Sequence, residues 1–212
     1  MEQERLFSVI SNKSVQEAFS QVLRYYVPEK SAVVVDVTCS VMKMWSEELR
    51  KDYEPVTMDI REEVNPQIVG DCALVDKLLG DGVADCIIYD PPYLDIKARR
   101  DSSWAESAYS YETSSFEYFE QLSRRSATPF YRALKEGGIL ICKITNFHYK
   151  GRLRGTYDLC EWFGEYFYLW DEVVYRFYKH IPNLNWYKRR VPKTHSYFLV
   201  FKKKQIKRTT AI

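Results

Sequence analysis

Glycine is scarce in this chain, and so are proline and histidine: eight, eight and three in 212 residues. Such scarcity excludes collagen-like and linker-type segments, and no stretch is of low complexity or repeats itself. Nowhere do 18 apolar residues run together, so a membrane-spanning helix is not expected. The opening residues, MEQERLF, show no charged-then-apolar signal pattern, and a soluble, cytoplasmic protein is the expectation. The five cysteines, at 39, 72, 86, 142 and 160, form no C-x-x-C pair and have no histidine at a metal-ligand spacing. They read as structural thiols in a reducing compartment, with no metal site. A large charge of one sign is also missing, the formal net charge being +2.

What the chain does have is apolar residues for one sizeable core, 46% of the total, and a single domain over 1–212 is expected. Arg and Lys gather at 97–100, 150–154, 188–193 and 202–208, a distribution that suits a surface facing something anionic. Ser14-Val15-Gln16-Glu17 is a capping box, with Val15, Phe19, Val22, Leu23 and Tyr26 at helical spacing after it, so the segment 1–30 is expected to be helical up to Pro28. Residues 31–36, 55–60, 83–90 and 138–145 are short apolar runs, the mark of strands buried on both faces. Helices are expected over 41–51, 72–79, 116–136 (with a break near Pro129 and a cap at Gly137-Gly138) and 157–169, and further strands over 171–179 and 195–203. This alternation predicts an α/β fold, a Rossmann-like three-layer sandwich with a mostly parallel sheet. The last two strands have no helix between them, so one is expected to run antiparallel at the edge. The stretch 94–115 is too long for a plain connector and reads as a lid or substrate loop. In such sheets ligands bind at the carboxyl ends of the strands, where strand order reverses.

One of these strand ends carries Asp90-Pro91-Pro92-Tyr93. Proline lacks a backbone donor and fixes its own φ, so the pair holds a rigid exit that leaves nearby carbonyls unused by a ladder. A carboxylate beside a free carbonyl can accept both hydrogens of an amino group, and a tyrosine ring can stack on a flat heterocycle. These four residues resemble the D-P-P-Y motif of the S-adenosylmethionine-dependent amino-methyltransferases that act on exocyclic amines of nucleobases. The resemblance implies a class I methyltransferase fold, S-adenosyl-L-methionine as cofactor and nucleic acid as partner, DNA ahead of RNA. It also implies catalytic roles: Asp90 and the Pro91 carbonyl on the target amine, Pro92 holding the corner, and Tyr93 stacked on a base swung out of its helix. The plainer alternative is a rigid loop and nothing more.

A cofactor half needs a strand, a tight turn and an acid about 20 residues later at the end of the next strand. Asp36, Thr38, Cys39 and Ser40 supply strand end and turn, and Asp59, followed by Ile60, lies 23 residues beyond Asp36. Where the family usually has glycines, this turn has Thr38, Cys39 and Ser40; Thr38 or Ser40 is expected to cap the following helix and bond the cofactor's carboxylate. An ordinary strand-to-helix turn is the alternative. Asp71, with Cys72 beside it, is similar to the family's acid that meets the adenine amino group, and equally suits a helix N-cap. Segments 137–155 and 189–203 are similar to late motifs of short phage and prokaryotic D-P-P-Y methyltransferases, which extends the resemblance to roughly 30–203.

Lys143, Lys150, Arg152, Arg189, Arg190 and Lys193 are then candidates to line the same sheet edge as phosphate contacts, or to form a solvated face. Trp104, Tyr109 and Tyr111 offer stacking surfaces for a base or a small core for their own loop. Adenine N6 in DNA is the first expectation. Cytosine N4 in DNA, an RNA base amine, and a non-catalytic nucleic-acid-binding partner subunit are the alternatives, with small-molecule or protein methylation a third class. Little chain remains outside the motifs, so target specificity is expected to be loose or shared with a homodimer mate.

Overall fold

The computed structural model describes residues 5–11, 13–93, 115–176 and 193–205. The expected loop at 94–115, apart from Ser115, falls outside the described residues, with Trp104, Tyr109, Tyr111, Arg189 and Arg190. Among the described residues, eight strands share one sheet: β1 (Val9–Ser11), β2 (Val34–Asp36), β3 (Val56–Asp59), β4 (Ile68–Val69), β5 (Ala84–Tyr89), β6 (Leu134–Ile144), β9 (Phe167–Arg176) and β10 (His195–Lys203). Their order is β1-β9-β10-β6-β5-β2-β3-β4. A separate hairpin pairs β7 (Phe147–Tyr149) with β8 (Arg152–Arg154).

Period-2 alternation makes both faces of this sheet apolar. Val34, Cys86, Ile88, Ile139, Ile141, Phe198 and Val200 pack with α1 (Val15–Tyr26) and α2 (Glu47–Tyr53). Val35, Ile87, Tyr89, Leu140, Cys142, Leu199 and Phe201 pack on the other side with α3 (Val75–Leu79), α4 (Phe116–Ala133) and α5 (Thr156–Phe163). The result is the expected three-layer α/β sandwich. β2 pairs in parallel with both β3 and β5. The chain therefore leaves β2 toward one edge and returns on its other side through β5, which places the switch point between β2 and β5.

Several local expectations need correction. The reversed strand is β10, but it is not at the edge: it runs antiparallel between β6 and β9. Its Phe198, Leu199 and Val200 are buried on both faces, and an interior position satisfies both ladders of such a strand. The N-terminal stretch is not helical alone, because β1 precedes the capping box and extends the sheet beside β9. The helix expected from residue 41 begins only at Glu47, capped by Ser46. Pro129 does not break α4: Phe130 and Ala133 beyond it are fully buried, and their packing offsets the lost backbone bond. Gly137 and Gly138 form an irregularity inside β6 rather than a helix cap, with Gly137 at φ +73. The segment 167–169, expected as helix, is strand, since Phe167 and Tyr168 pair with Lys203 and Lys202 of β10.

Candidate active site

The carboxyl ends of β2, β3 and β5 converge on one hollow. It is lined by Thr38 and Ser40 after β2, by Asp59, Ile60 and Arg61 at the end of β3, by Asp71 and Cys72 after β4, and by Asp90 and Pro92 after β5. Val37, Gly70 and, from α4, Tyr118 and Leu122 also line it. The cofactor-type and catalytic-type carboxylates, far apart in sequence, thus share one concavity. Asp36, Cys39, Pro91 and Tyr93 do not line it.

Asp36 is wholly buried and accepts from Trp45 Nε1 at 2.7 Å and from the Thr38 N–H at 3.2 Å. Burial pushes its carboxyl up to about 7 against those two bonds, with Asp90 and Asp59 adding repulsion. It braces the turn from behind instead of facing a ligand. Cys39 is likewise buried, its N–H bound to the Met58 carbonyl at 3.0 Å. Burial lifts both the Cys39 and Cys72 thiols to about 12, which favours the neutral thiol at both positions.

The turn solves its lack of glycine by strain: Ser40 and Met42 stand at φ +46 and +52, a conformation costing about 1–2 kcal/mol per non-glycine residue. Neither Thr38 nor Ser40 caps a helix. The Thr38 hydroxyl accepts from the Asp90 N–H at 2.8 Å, so the cofactor-type turn and the D-P-P-Y corner are bonded to each other. The Ser40 N–H donates to Asp59 Oδ2 at 2.8 Å.

Arg61 was not among the residues expected from sequence. Its backbone N–H and Nε donate to Asp59 Oδ1 at 3.0 and 3.1 Å, and Nη2 reaches Ser40 Oγ at 2.9 Å. With the Ser40 bond added, both oxygens of Asp59 are engaged. Ile60, by contrast, is an apolar side chain left 55% exposed at the hollow. Of the two readings that sequence left open for Asp71, the structure shows the cap. Asp71 caps the turn at Cys72–Leu74, accepting from the Ala73 N–H at 2.9 Å, and it pairs with Arg125 at 2.6 Å while lining the hollow.

Asp90 offers the most informative geometry. Lys143 Nζ donates to its Oδ2 at 2.9 Å, while Oδ1 is buried with no partner among the described residues. Lys143 therefore belongs to this corner and not to a phosphate-facing edge: Cys142 pairs with Tyr89, and that register sets Lys143 beside Asp90. Tyr93 is also elsewhere than expected. Its ring is 7% exposed, stacked on Phe147 (centroids 5.8 Å apart) and edge-on to Phe119. This aromatic packing buries the ring surface expected to stack on a base. Burial also pushes its phenol up.

Of the remaining basic residues, Lys150 pairs with Glu117 at 3.2 Å. Arg152 is exposed on the hairpin, and Lys193, just before β10, is half-buried.

A family model described as DNA methylase matches residues 84–212, from the first residue of β5 onward and including the whole D-P-P-Y corner. No curated protein matches the chain. Among solved structures the fold is similar to that of protein PH0226 from Pyrococcus horikoshii OT3, at 15% identity over 89% of each chain with a TM-score of 0.51. It is also similar to the N-methyltransferase NodS from Bradyrhizobium japonicum WM9, solved in complex with S-adenosyl-L-homocysteine, at 12% identity over 89% of this chain and 87% of that one, TM-score 0.56. Likeness at such identities establishes the architecture, the class I methyltransferase fold, while the family match covers more than half of the sequence: this chain belongs to the DNA methylase family of N6/N4 methyltransferases.

Proposed function

We propose that this protein transfers the methyl group of S-adenosyl-L-methionine to an exocyclic amine of a nucleic-acid base, with adenine N6 in DNA as the first candidate. The reading is carried by one observation: Asp90 and Asp59 line the same hollow at the switch point of the sheet, with Asp90 Oδ1 buried and unpartnered among the described residues. When bound, the cofactor supplies a methyl on a positively charged sulfur, which an amine lone pair can take.

The donor set of the hollow fits that cofactor. Asp59 presents acceptors of the kind ribose hydroxyls need, Ile60 offers an exposed apolar surface for a purine, and Asp71 stands where an amino group would find an acceptor. The fit requires the Arg61 side chain to leave Asp59. On the substrate side, Asp90 accepts an N–H of the target amine and fixes its direction, and the rigid Pro91-Pro92 exit holds the carboxylate still. Incubation with labelled S-adenosylmethionine and a panel of DNA and RNA, followed by identification of the modified nucleoside by mass, tests the reading. Label in N6-methyladenine is the expected result, and no labelled nucleoside from any nucleic acid would overturn it.

A second reading, a nucleic-acid-binding subunit without turnover, draws on the strained, glycine-free turn and on Arg61 lying across Asp59. Calorimetric titration with S-adenosylhomocysteine separates the two: an enzyme gives saturable binding, an idle subunit gives none.

A further inference from the structure

Two backbone donors hold the Asp59 carboxylate in place, one on each oxygen: the Ser40 N–H on Oδ2 at 2.8 Å and the Arg61 N–H on Oδ1 at 3.0 Å. A carboxylate has about four acceptor sites, two per oxygen. The Arg61 guanidinium fills the two that remain, with Nε on Oδ1 at 3.1 Å and Nη2 on Oδ2 at 3.4 Å, and Nη2 also donates to Ser40 Oγ at 2.9 Å. Both side chains sit low in the hollow, 16% and 8% exposed. Positioning Asp59 does not require the guanidinium, because the backbone bonds already do it. What the guanidinium does is use up the acceptors that would face a ligand.

The pattern it presents is two donors side by side, one for each carboxylate oxygen. A vicinal diol presents the same pattern with its two hydroxyls. We infer that Arg61 is a displaceable internal occupant of the ribose-diol subsite, an autoinhibitory latch that closes the cofactor half of the hollow until the cofactor takes its place. This inference rests on the reading of Asp59 as the acceptor of ribose hydroxyls. Opening needs no unpacking of the core, since Arg61 stands just before the short 3-10 turn Glu62–Val64, none of whose residues is buried. The two bonds that Asp59 gives up are then regained from the diol. The closed state still lowers affinity, because a ligand that binds only the open form has its apparent affinity reduced by the open fraction.

The test is calorimetric titration of wild type, Arg61→Met and Ser40→Ala with S-adenosylhomocysteine and with its 2′,3′-dideoxy analogue. Arg61→Met keeps both backbone donors to Asp59 and should bind S-adenosylhomocysteine roughly 10-fold more tightly than wild type, the expected worth of a half-buried ion pair. The dideoxy analogue has no hydroxyls to exchange for the guanidinium, and its affinity for the two proteins should differ by less than about threefold. Ser40→Ala removes one partner of the guanidinium and leaves Asp59 intact, so it should tighten S-adenosylhomocysteine by a smaller factor, about threefold. Saturable binding by Arg61→Met alone would be the latch at full strength. If wild type binds and Arg61→Met binds no more tightly, the latch is overturned while the cofactor reading stands. Equal gains for S-adenosylhomocysteine and the dideoxy analogue overturn it too, since the guanidinium would then act as bulk and not in place of the diol. If neither wild type nor either variant binds S-adenosylhomocysteine, the cofactor reading fails and takes the inference with it.

Discussion

At the scale of single residues, Lys143 takes one oxygen of Asp90 and the other has no partner among the described residues, the state that the proposed amine acceptor requires. The bond that ties this corner to Thr38 comes from the backbone N–H of residue 90, so truncating the side chain leaves the turn anchored. Asp90→Ala should therefore lower methyl transfer by about 10²- to 10³-fold or more, with less than a threefold change in calorimetric affinity for S-adenosylhomocysteine, taking about 0.65 kcal/mol as the limit. A variant that keeps wild-type turnover would remove the role from that carboxylate. Asp36 carries a different prediction. Its folded-state value, about 7, lies above the 3.8 of the free carboxyl, so the fold favours the neutral acid. Stability attributable to this group is greatest below about pH 4, declines as pH rises toward 7 and is level beyond, by at most about 4 kcal/mol. Urea midpoints of wild type and Asp36→Asn should diverge in favour of the variant between pH 4 and 7; parallel curves would contradict the raised value. Asp90 and Asp59 were legible because a contiguous motif and a regular spacing announce them. The Lys143 contact was not, since its partner lies 53 residues away, and Arg61, although Asp59 is only two residues before it, reaches across to Ser40 through a turn that no local signal announces; Asp36 was misassigned because nothing local shows that Trp45 turns its indole N–H back onto it.

At the scale of elements, the strands were legible where residues are buried on both faces: β10 occupies His195–Lys203 as the apolar run predicts. The hairpin was missed, although Lys150 at φ +45 and Gly151 at φ +80 close it with the two left-handed positions of a two-residue turn; a Lys-Gly pair is a weaker signal than Asn-Gly. The hairpin matters to the site, because its Phe147 covers Tyr93 and its Tyr149 stacks on Phe116 at 4.9 Å. Its exit is tied down at Gly155, which has φ +127 and where a Cβ would come within 2.6 Å of Asn146 Oδ1. That oxygen already accepts from the Thr156 N–H at 2.8 Å and starts α5. Gly155→Ala should thus cost about 2–4 kcal/mol, combining backbone strain with displacement of Asn146. Gly82→Ala, also at positive φ but with nothing within 4 Å of the added Cβ, should cost about 1 kcal/mol. Chemical denaturation measures both, and equal losses would mean that the Asn146 contact carries no weight.

At the scale of the whole molecule, strand order decides which charges face the hollow, and order is long-range information that short sequence windows do not contain. Layering was legible from the alternation of helices and strands; the insertion of β10 between β6 and β9 was not, because only tertiary pairing sets it. That insertion brings the start of β10, with Lys193 just before it, to the end of the sheet where the hollow opens, and the hairpin brings Arg152 to the same end. The other end of β10 carries Lys202 over the Trp170 ring at 3.3 Å and Lys204 over Tyr168 at 4.7 Å. A chain with a formal net charge of only +2 cannot attract a polyanion by its total charge, so any binding must depend on where the cations stand. If nucleic acid docks over the hollow, Arg152→Ala and Lys193→Ala should each flatten the dependence of log K on log salt by about 0.7–0.9, one phosphate apiece. Lys202→Ala, at the far end, should leave the slope unchanged. Fluorescence anisotropy of a labelled oligonucleotide over a salt series distinguishes these outcomes: a slope that falls with Lys202→Ala and not with the other two would move the docking face to the opposite end of the sheet.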